Sequence, residues 1–196
     1  MRLTIFTTPI LSPLLKRFSI WTLRRLGWTL QGQMPAHTPQ SVIIAAPHTS
    51  NWDLPYTLMA AFALGLNIHW MGKIQIFRFP FQGLMRWLGG IAVDRSKSTN
   101  MVSASAEALT QAVGELHLVI PPEGTRSQSR TWKTGFYYIA LEAQVPIVLG
   151  FLDFGRKTTG LGPAFMPTGD IDADMVVIKA FYATFQGKNA SQFVLE

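Results

Sequence analysis

The sequence predicts a single-domain α/β sandwich, in which a central largely parallel or mixed sheet is flanked by helices. Three observations carry that expectation. From residue 41 onward, apolar β-branched runs of strand length alternate with helical stretches of about 10–15 residues. The chain has 196 residues and no repeat, low-complexity tract or obvious linker, which fits one domain with a sizeable core. It is also 48% hydrophobic with a mean hydropathy of +0.20, greasy for a chain of which only 14% is charged.

The elements follow in order. Leu11, Leu15, Phe18, Thr22 and Leu26 recur at helical spacing, with Trp21 and Trp28 flanking the stripe. Lys16, Arg17, Arg24 and Arg25 interrupt the apolar N-terminus, so no charge-free run reaches the ~20 residues of a membrane span. The basic, apolar, small-residue order of a cleaved signal peptide is missing as well. Residues 1–30 are therefore expected to form an amphipathic N-terminal membrane-surface segment, the alternative being an ordinary first helix packed on the domain. Ser41 to Ala46 reads as a strand, and Pro47 to Asp53 as the turn leaving it. Ser50 or Asn51 can cap the helix that follows, with Asp53 and Pro55 in its first turn and Gly65 and Asn67 near its end.

Asn67 to Met71 is expected as a short strand, and Ile76 to Phe81 as a greasy wall. Leu84 to Leu88 is a helical turn or two ended by Gly89-Gly90, and Ile91 to Val93 another strand. Thr99 to Val113 is helical, Leu116 to Ile120 a strand stopped by Pro121-Pro122, and a helix opened by Lys133 or Thr134 runs to Ala143. Val145 to Phe151 is a buried strand and Gly162 to Pro167 a shorter, edge-like segment. Asp172 to Tyr182 closes the chain as a helix with Asp172 and Asp174 at its positive end.

Composition narrows the function classes. The formal net charge is +6 and the pI about 9.9, with thirteen Phe and six Trp. Basic and aromatic-rich together favour an anionic membrane surface or a phosphate-bearing substrate. Nucleic acid is not expected as a partner, since the basic residues are scattered and no zinc-finger spacing, RNP-like stretch or basic helix is present. The absence of Cys excludes disulfides, thiolate chemistry and Cys-ligated metal. Asp170, Asp172 and Asp174 alternate like a metal loop, but the Gly and terminal Glu of a calcium loop are missing and a helix cap explains them better; no metal site is expected. His69 lies in a strand-like apolar segment, His117 near a strand start and His37 in a polar loop, so they are read as structural or loop residues.

Each remaining charged cluster falls at the end of an expected strand: His48 with Asp53, Asp94 with Arg95, and Glu123 with Arg126. Open α/β sheets bind ligands beyond the carboxyl ends of their strands, so these segments can share one cleft. A turn that brings Asp53 back to His48 would let the carboxylate accept one ring N–H and leave the other nitrogen as a base. Taken alone, the pair also fits a capping segment with an incidental His. Arg suits phosphate through its planar two-pronged fork, and Gly124 lets the turn backbone approach a ligand.

These blocks resemble those of the glycerolipid acyltransferase superfamily, the 1-acylglycerol-3-phosphate (lysophosphatidate) acyltransferase-like proteins. His48-Thr49-Ser50-Asn51-Trp52-Asp53 matches the His-x4-Asp block and Gly90-Ile91-Ala92-Val93-Asp94-Arg95 the second. Pro121-Pro122-Glu123-Gly124-Thr125-Arg126-Ser127 is similar to the third, and Val145-Pro146-Ile147-Val148-Leu149 to the fourth. Pro121 stands where Phe is usual and Leu149 where Pro is usual; neither change removes a titrating group. The resemblance implies a glycerol-3-phosphate acyltransferase-like fold, with residues 31–196 as the acyltransferase domain. It implies a catalytic pair of His48 as general base and Asp53 as its orienting acid. Arg95, Glu123, Gly124, Thr125 and Arg126 would serve as substrate-binding residues. The donor would be an acyl thioester, acyl-CoA or acyl-ACP, with no bound cofactor. The acceptor would be a hydroxyl of a lysophospholipid or related glycerolipid. The partners implied are an anionic membrane surface and, for one donor, acyl carrier protein, with the enzyme peripheral on the cytoplasmic face of the membrane. A hydrolase on the same fold, or an inactive basic membrane-binding protein, are the rival expectations.

Overall fold

The computed structural model describes residues 3–93, 99–128 and 131–195. Among them, seven strands form one sheet in the order β1-β7-β6-β2-β5-β3-β4. In chain order these are β1 (Thr29–Gln31), β2 (Gln40–Ala46), β3 (Ile68–Lys73), β4 (Gly90–Val93), β5 (Leu116–Ile120), β6 (Ile147–Asp153) and β7 (Thr158–Phe165). β6, β2, β5, β3 and β4 run parallel; β7 lies antiparallel to β6 and carries β1 parallel to itself. The helices are α1 (Leu11–Arg25), α2 (Asp53–Leu64), α3 (Gln82–Trp87), α4 (Thr99–Thr110), α5 (Gly135–Ala143) and α6 (Ile171–Tyr182).

The central strands are apolar on both faces because both faces are covered. On β2, Val42 and Ile44 join Leu118, Ile147, Leu149, Phe136, Tyr137, Ile178 and Tyr182 in the core under α4, α5 and α6. Ile43 points the other way, into a second core with Val148, Leu161, Ala61, Phe62 and Phe6 under α2 and the N-terminus. α1 closes that side, with Leu23 packed against Ala63, Trp28 and Leu152.

Several expectations need correction. The Gly162–Pro167 segment is not a separate short strand: it begins within the longer strand β7, which ends at Phe165. Because β1 pairs only with Thr158–Gly160, the later residues of β7 have β6 alone beside them among the described residues, so their edge character stands. The outermost place is taken by β1, three residues too short to show a period of two in the sequence. Neither Ser50 nor Asn51 caps α2 from the N-cap position, which Trp52 occupies without a side-chain bond. The Thr49 and Ser50 N–H groups of that turn go instead to the Asp53 carboxylate, while Ser50 Oγ accepts the Trp52 N–H. Of the two Trp residues that flank the α1 stripe in sequence, Trp28 is buried: its ring packs on Tyr56 at 4.5 Å and edge-on to Phe154 at 5.0 Å.

The candidate active site

β2 and β5 are sheet neighbours, with Ile44 opposite Ile120. The turns that leave them, Pro47–Asp53 and Pro121–Arg126, therefore emerge side by side at the carboxyl end of the sheet. That is where a parallel sheet presents its ligands. In the first turn, Asp53 opens α2 and points back along it. Its Oδ2 accepts the backbone N–H groups of Thr49 at 2.7 Å and Ser50 at 2.8 Å, and lies 3.2 Å from His48 Nδ1. The carboxylate thereby neutralises backbone donors at a helix start and orients the imidazole in one stroke. Asp53 is 3% exposed, whereas the His48 side chain stays partly open to solvent. With Nδ1 turned to Asp53, His48 can take a proton on Nε2.

Glu123 joins the two turns. Its Oε1 accepts the His48 backbone N–H at 2.9 Å, and the residue is 4% exposed. Glu123 thus holds the backbone of the neighbouring turn. Burial pushes its carboxyl above the usual carboxylate range, with the backbone donors, the His48 N–H among them, acting in the opposite sense. Asp53 Oδ1 and Glu123 Oε2 are both buried and find no partner among the described residues. Unpaired buried carboxylate oxygens cost stability, so packing alone does not explain a pair of them at one site.

Arg126 lies on the exposed rim. Its Nη1 donates to Asn51 Oδ1, which brings the guanidinium to the mouth of the His48 turn. Gly124 adopts a left-handed φ of 65°, and a Cβ there would meet Lys133 Nζ at 2.8 Å, so Lys133 crosses the same loop. Thr125 is exposed, and its Oγ1 accepts the Ser127 N–H. Arg95 falls outside the described residues; the strand before it, β4, stands three places from β2. The sequence marks Asn51 only as a candidate helix cap, and nothing in it points to the bond with Arg126. Thr49, 2% exposed, was equally silent.

A narrow apolar cavity opens beside His48 and Asp53 and runs between the sheet and α2. Ala60, Ala61, Leu64, Val119, Leu152 and Leu161 line it. The other histidines stay apart from this site. His117 is buried, with Nδ1 2.9 Å from Ser41 Oγ, and burial together with the nearby His69 holds its pKa down to about 4. No group of three or more metal-ligating side chains occurs among the described residues.

An α/β sandwich with a His–Asp pair and an arginine-bearing loop at adjacent strand ends defines a narrow class of protein, and comparisons assign it. The family model described as Acyltransferase matches residues 27–148, so the chain belongs to the acyltransferase family. It is 30% identical over 113 residues to the 1-acyl-sn-glycerol-3-phosphate acyltransferase of Escherichia coli K12, a match covering 55% of this chain and 45% of that protein. With the enzyme of the same name from Haemophilus influenzae it shares 28% over 131 residues, 62% of this chain and 52% of the relative. The chain thus spans about half the length of these relatives. The crystal structure of the 1-acyl-sn-glycerophosphate (LPA) acyltransferase of Thermotoga maritima superposes with a TM-score of 0.58 at 16% identity, covering 91% of this chain and 82% of that one. That likeness establishes the fold.

Proposed function

We propose that the protein is an O-acyltransferase that moves a fatty acyl group from an acyl thioester, acyl-CoA or acyl-ACP, to a hydroxyl of a lysophospholipid or related glycerolipid. The observation that carries this reading is the His48–Asp53 pair held beside the Arg126 loop. His48 Nε2 takes the proton of the acceptor hydroxyl as its oxygen attacks the thioester carbonyl. The tetrahedral intermediate collapses, the carbon–sulfur bond breaks, and the imidazolium returns its proton to the leaving thiolate. Asp53 holds the ring and stabilises its charged form. No acyl-enzyme is required, because a thioester is already activated. Arg126 grips the acceptor phosphate with two parallel donors, Thr125 and Gly124 shape that loop, and Arg95 assists. Glu123 fixes the two turns against each other. The apolar cavity beside His48 suits an aliphatic chain.

The same reading places the protein on a membrane surface. Between residues 1 and 93 the sequence holds a single acidic residue, Asp53, and that one is buried. α1 turns Leu14, Phe18 and Trp21 outward beside exposed Lys16, Arg17, Arg24 and Arg25. A long-chain acceptor resides in such a surface, and a carrier-bound donor reaches it from the cytoplasmic side. Among the described residues no helix is long and apolar enough to cross a membrane.

The test is purified protein given acyl-CoA or acyl-carrier donors and a panel of lysophospholipids. Thiol released together with esterified acceptor is the expected result. Thiol released with free fatty acid would make the protein a hydrolase. Neither product would leave a basic membrane-binding protein.

A further inference from the structure

Residues after α6, beyond the segment that the family model matches, fold back over the turn that holds His48. The strap is fastened first to the end of β6: the Phe154 N–H donates to the Gln186 carbonyl at 2.8 Å, and the Gln186 N–H to Asp153 Oδ1 at 3.3 Å. Gly187 then passes so close to Thr49 that a Cβ would lie 2.6 Å from its Oγ1. Lys188 sets its ammonium 5.7 Å from the Trp52 ring centroid and 5.4 Å from that of Phe154. Asn189 donates twice to Thr49, from its backbone N–H to Oγ1 at 3.2 Å and from Nδ2 to the carbonyl at 2.8 Å. With the Gln192 amide oriented to satisfy both of its ends, its nitrogen donates to the carbonyls of Thr49 and Arg126, each at 2.8 Å.

Thr49 is the link that gives these bonds a consequence. Its N–H donates to Asp53 Oδ2, the oxygen that lies against His48 Nδ1. The Thr49 carbonyl shares its peptide with the Ser50 N–H, the second donor to that oxygen. A hydrogen bond from the strap to this carbonyl, together with one to the Thr49 hydroxyl, therefore fixes the residue between the two N–H groups that aim the Asp53 carboxylate. Gln192 does more, because it touches the Arg126 backbone too and so sets the distance between the His48 turn and the arginine loop. Glu123 spans the same two turns from the buried side, and Gln192 spans them from the outer side.

We propose that Asn189 and Gln192 are positioning residues of this site: Asn189 fixes the His48–Asp53 geometry, and Gln192 fixes that geometry relative to Arg126. Neither touches the reacting atoms. The kinetic consequence rests on the acyl-transfer reading, while the structural consequence does not. If His48 and Asp53 are aimed through Thr49, loosening the strap lowers turnover without weakening donor binding. If Gln192 also registers Arg126, its loss adds a weaker grip on a phosphorylated acceptor.

The experiment compares the full chain with Asn189→Leu and Gln192→Leu, substitutions of similar size that cannot donate. Hydrogen exchange is read at Thr49 and Ser50, whose amides bond to Asp53, and at α6 as an internal control. The expected result in both variants is exchange about tenfold faster at Thr49 and Ser50, the effect of losing one to two hydrogen bonds, with α6 unchanged. Kinetically, both variants lose about tenfold in kcat at constant donor KM, and Gln192→Leu alone raises KM for a phosphorylated acceptor. Unchanged protection at Thr49 and Ser50 overturns the proposal. So does an equal rise across α6, β2 and the turn, which would make the strap a general stabiliser. If the wild-type chain turns over no acyl thioester, the exchange measurement still decides the strap and only the acyl-transfer reading falls.

Discussion

The Asp53 carboxylate binds three groups through one oxygen: two backbone N–H donors of its own turn and the His48 imidazole. It is buried, and its position is set before any substrate arrives, which is what an orienting acid needs. Arg126 differs, since it sits on the rim and is held by one amide oxygen of Asn51 that a stronger anion can displace. Arg126→Ala should therefore raise KM for a phosphorylated acceptor more than for a matched acceptor without phosphate, leaving donor KM little changed. Steady-state kinetics on the matched pair checks this, and an equal loss on both would mean that Arg126 supports the loop or grips the carrier. His117 offers a test away from the site. Its pKa is about 4 in the folded protein against 6.5 for the free side chain, so between those values the unfolded chain binds more protons. Stability should then be full above pH 6.5 and fall as the pH drops toward 4, by roughly 3 kcal/mol from this group. His117→Gln should flatten that part of the profile in urea titrations. A wild-type slope retained by the variant would assign the pH dependence to other groups.

At the scale of elements, much was legible because the strands are short apolar runs punctuated by turn residues. Leu116 to Ile120 ends at Pro121-Pro122 in the sequence and in the fold, and Gly65 closes α2 in a left-handed conformation. The pairing of β2 with β5 was not legible, because sheet order depends on how distant segments pack. It is this pairing that makes two motifs 75 residues apart into one site. β1 escaped for want of length. The anchors of Thr49 in residues 186–192 escaped because an Asn and a Gln in a polar tail carry no periodicity and no motif. For α1 the helix was legible and its rotation less so. Leu23 and Ser19 face inward, while Phe18 and Trp21, each 57% exposed, face out with Arg25 stacked 5.8 Å from the Trp21 ring centroid. Replacing Lys16, Arg17, Arg24 and Arg25 with Gln should weaken binding to anionic vesicles by up to ~1 kcal/mol per charge. It should spare activity on a water-soluble short-chain acceptor. Vesicle co-sedimentation checks it, and equal wild-type binding to neutral and anionic vesicles at low salt would remove the electrostatic part.

Across the whole molecule, the proposed chemistry and the proposed membrane adhesion fall on different parts of one scaffold. Five parallel strands, apolar on both faces, form a rigid floor whose carboxyl end presents the His48 and Glu123 turns. The N-terminal half supplies the basic and exposed aromatic surface, and the C-terminal tail closes over the His48 turn from outside. The central claim is that His48, aimed by Asp53, takes the acceptor proton. It is tested most directly by measuring thiol release and ester formation together in the wild-type chain and in His48→Ala, with circular dichroism confirming the same fold. The account predicts loss of at least ~10²-fold in both products' rates at unchanged structure. Asp53→Asn should fall short of that but show the same pattern. Ester formation in His48→Ala at close to the wild-type rate would contradict the account.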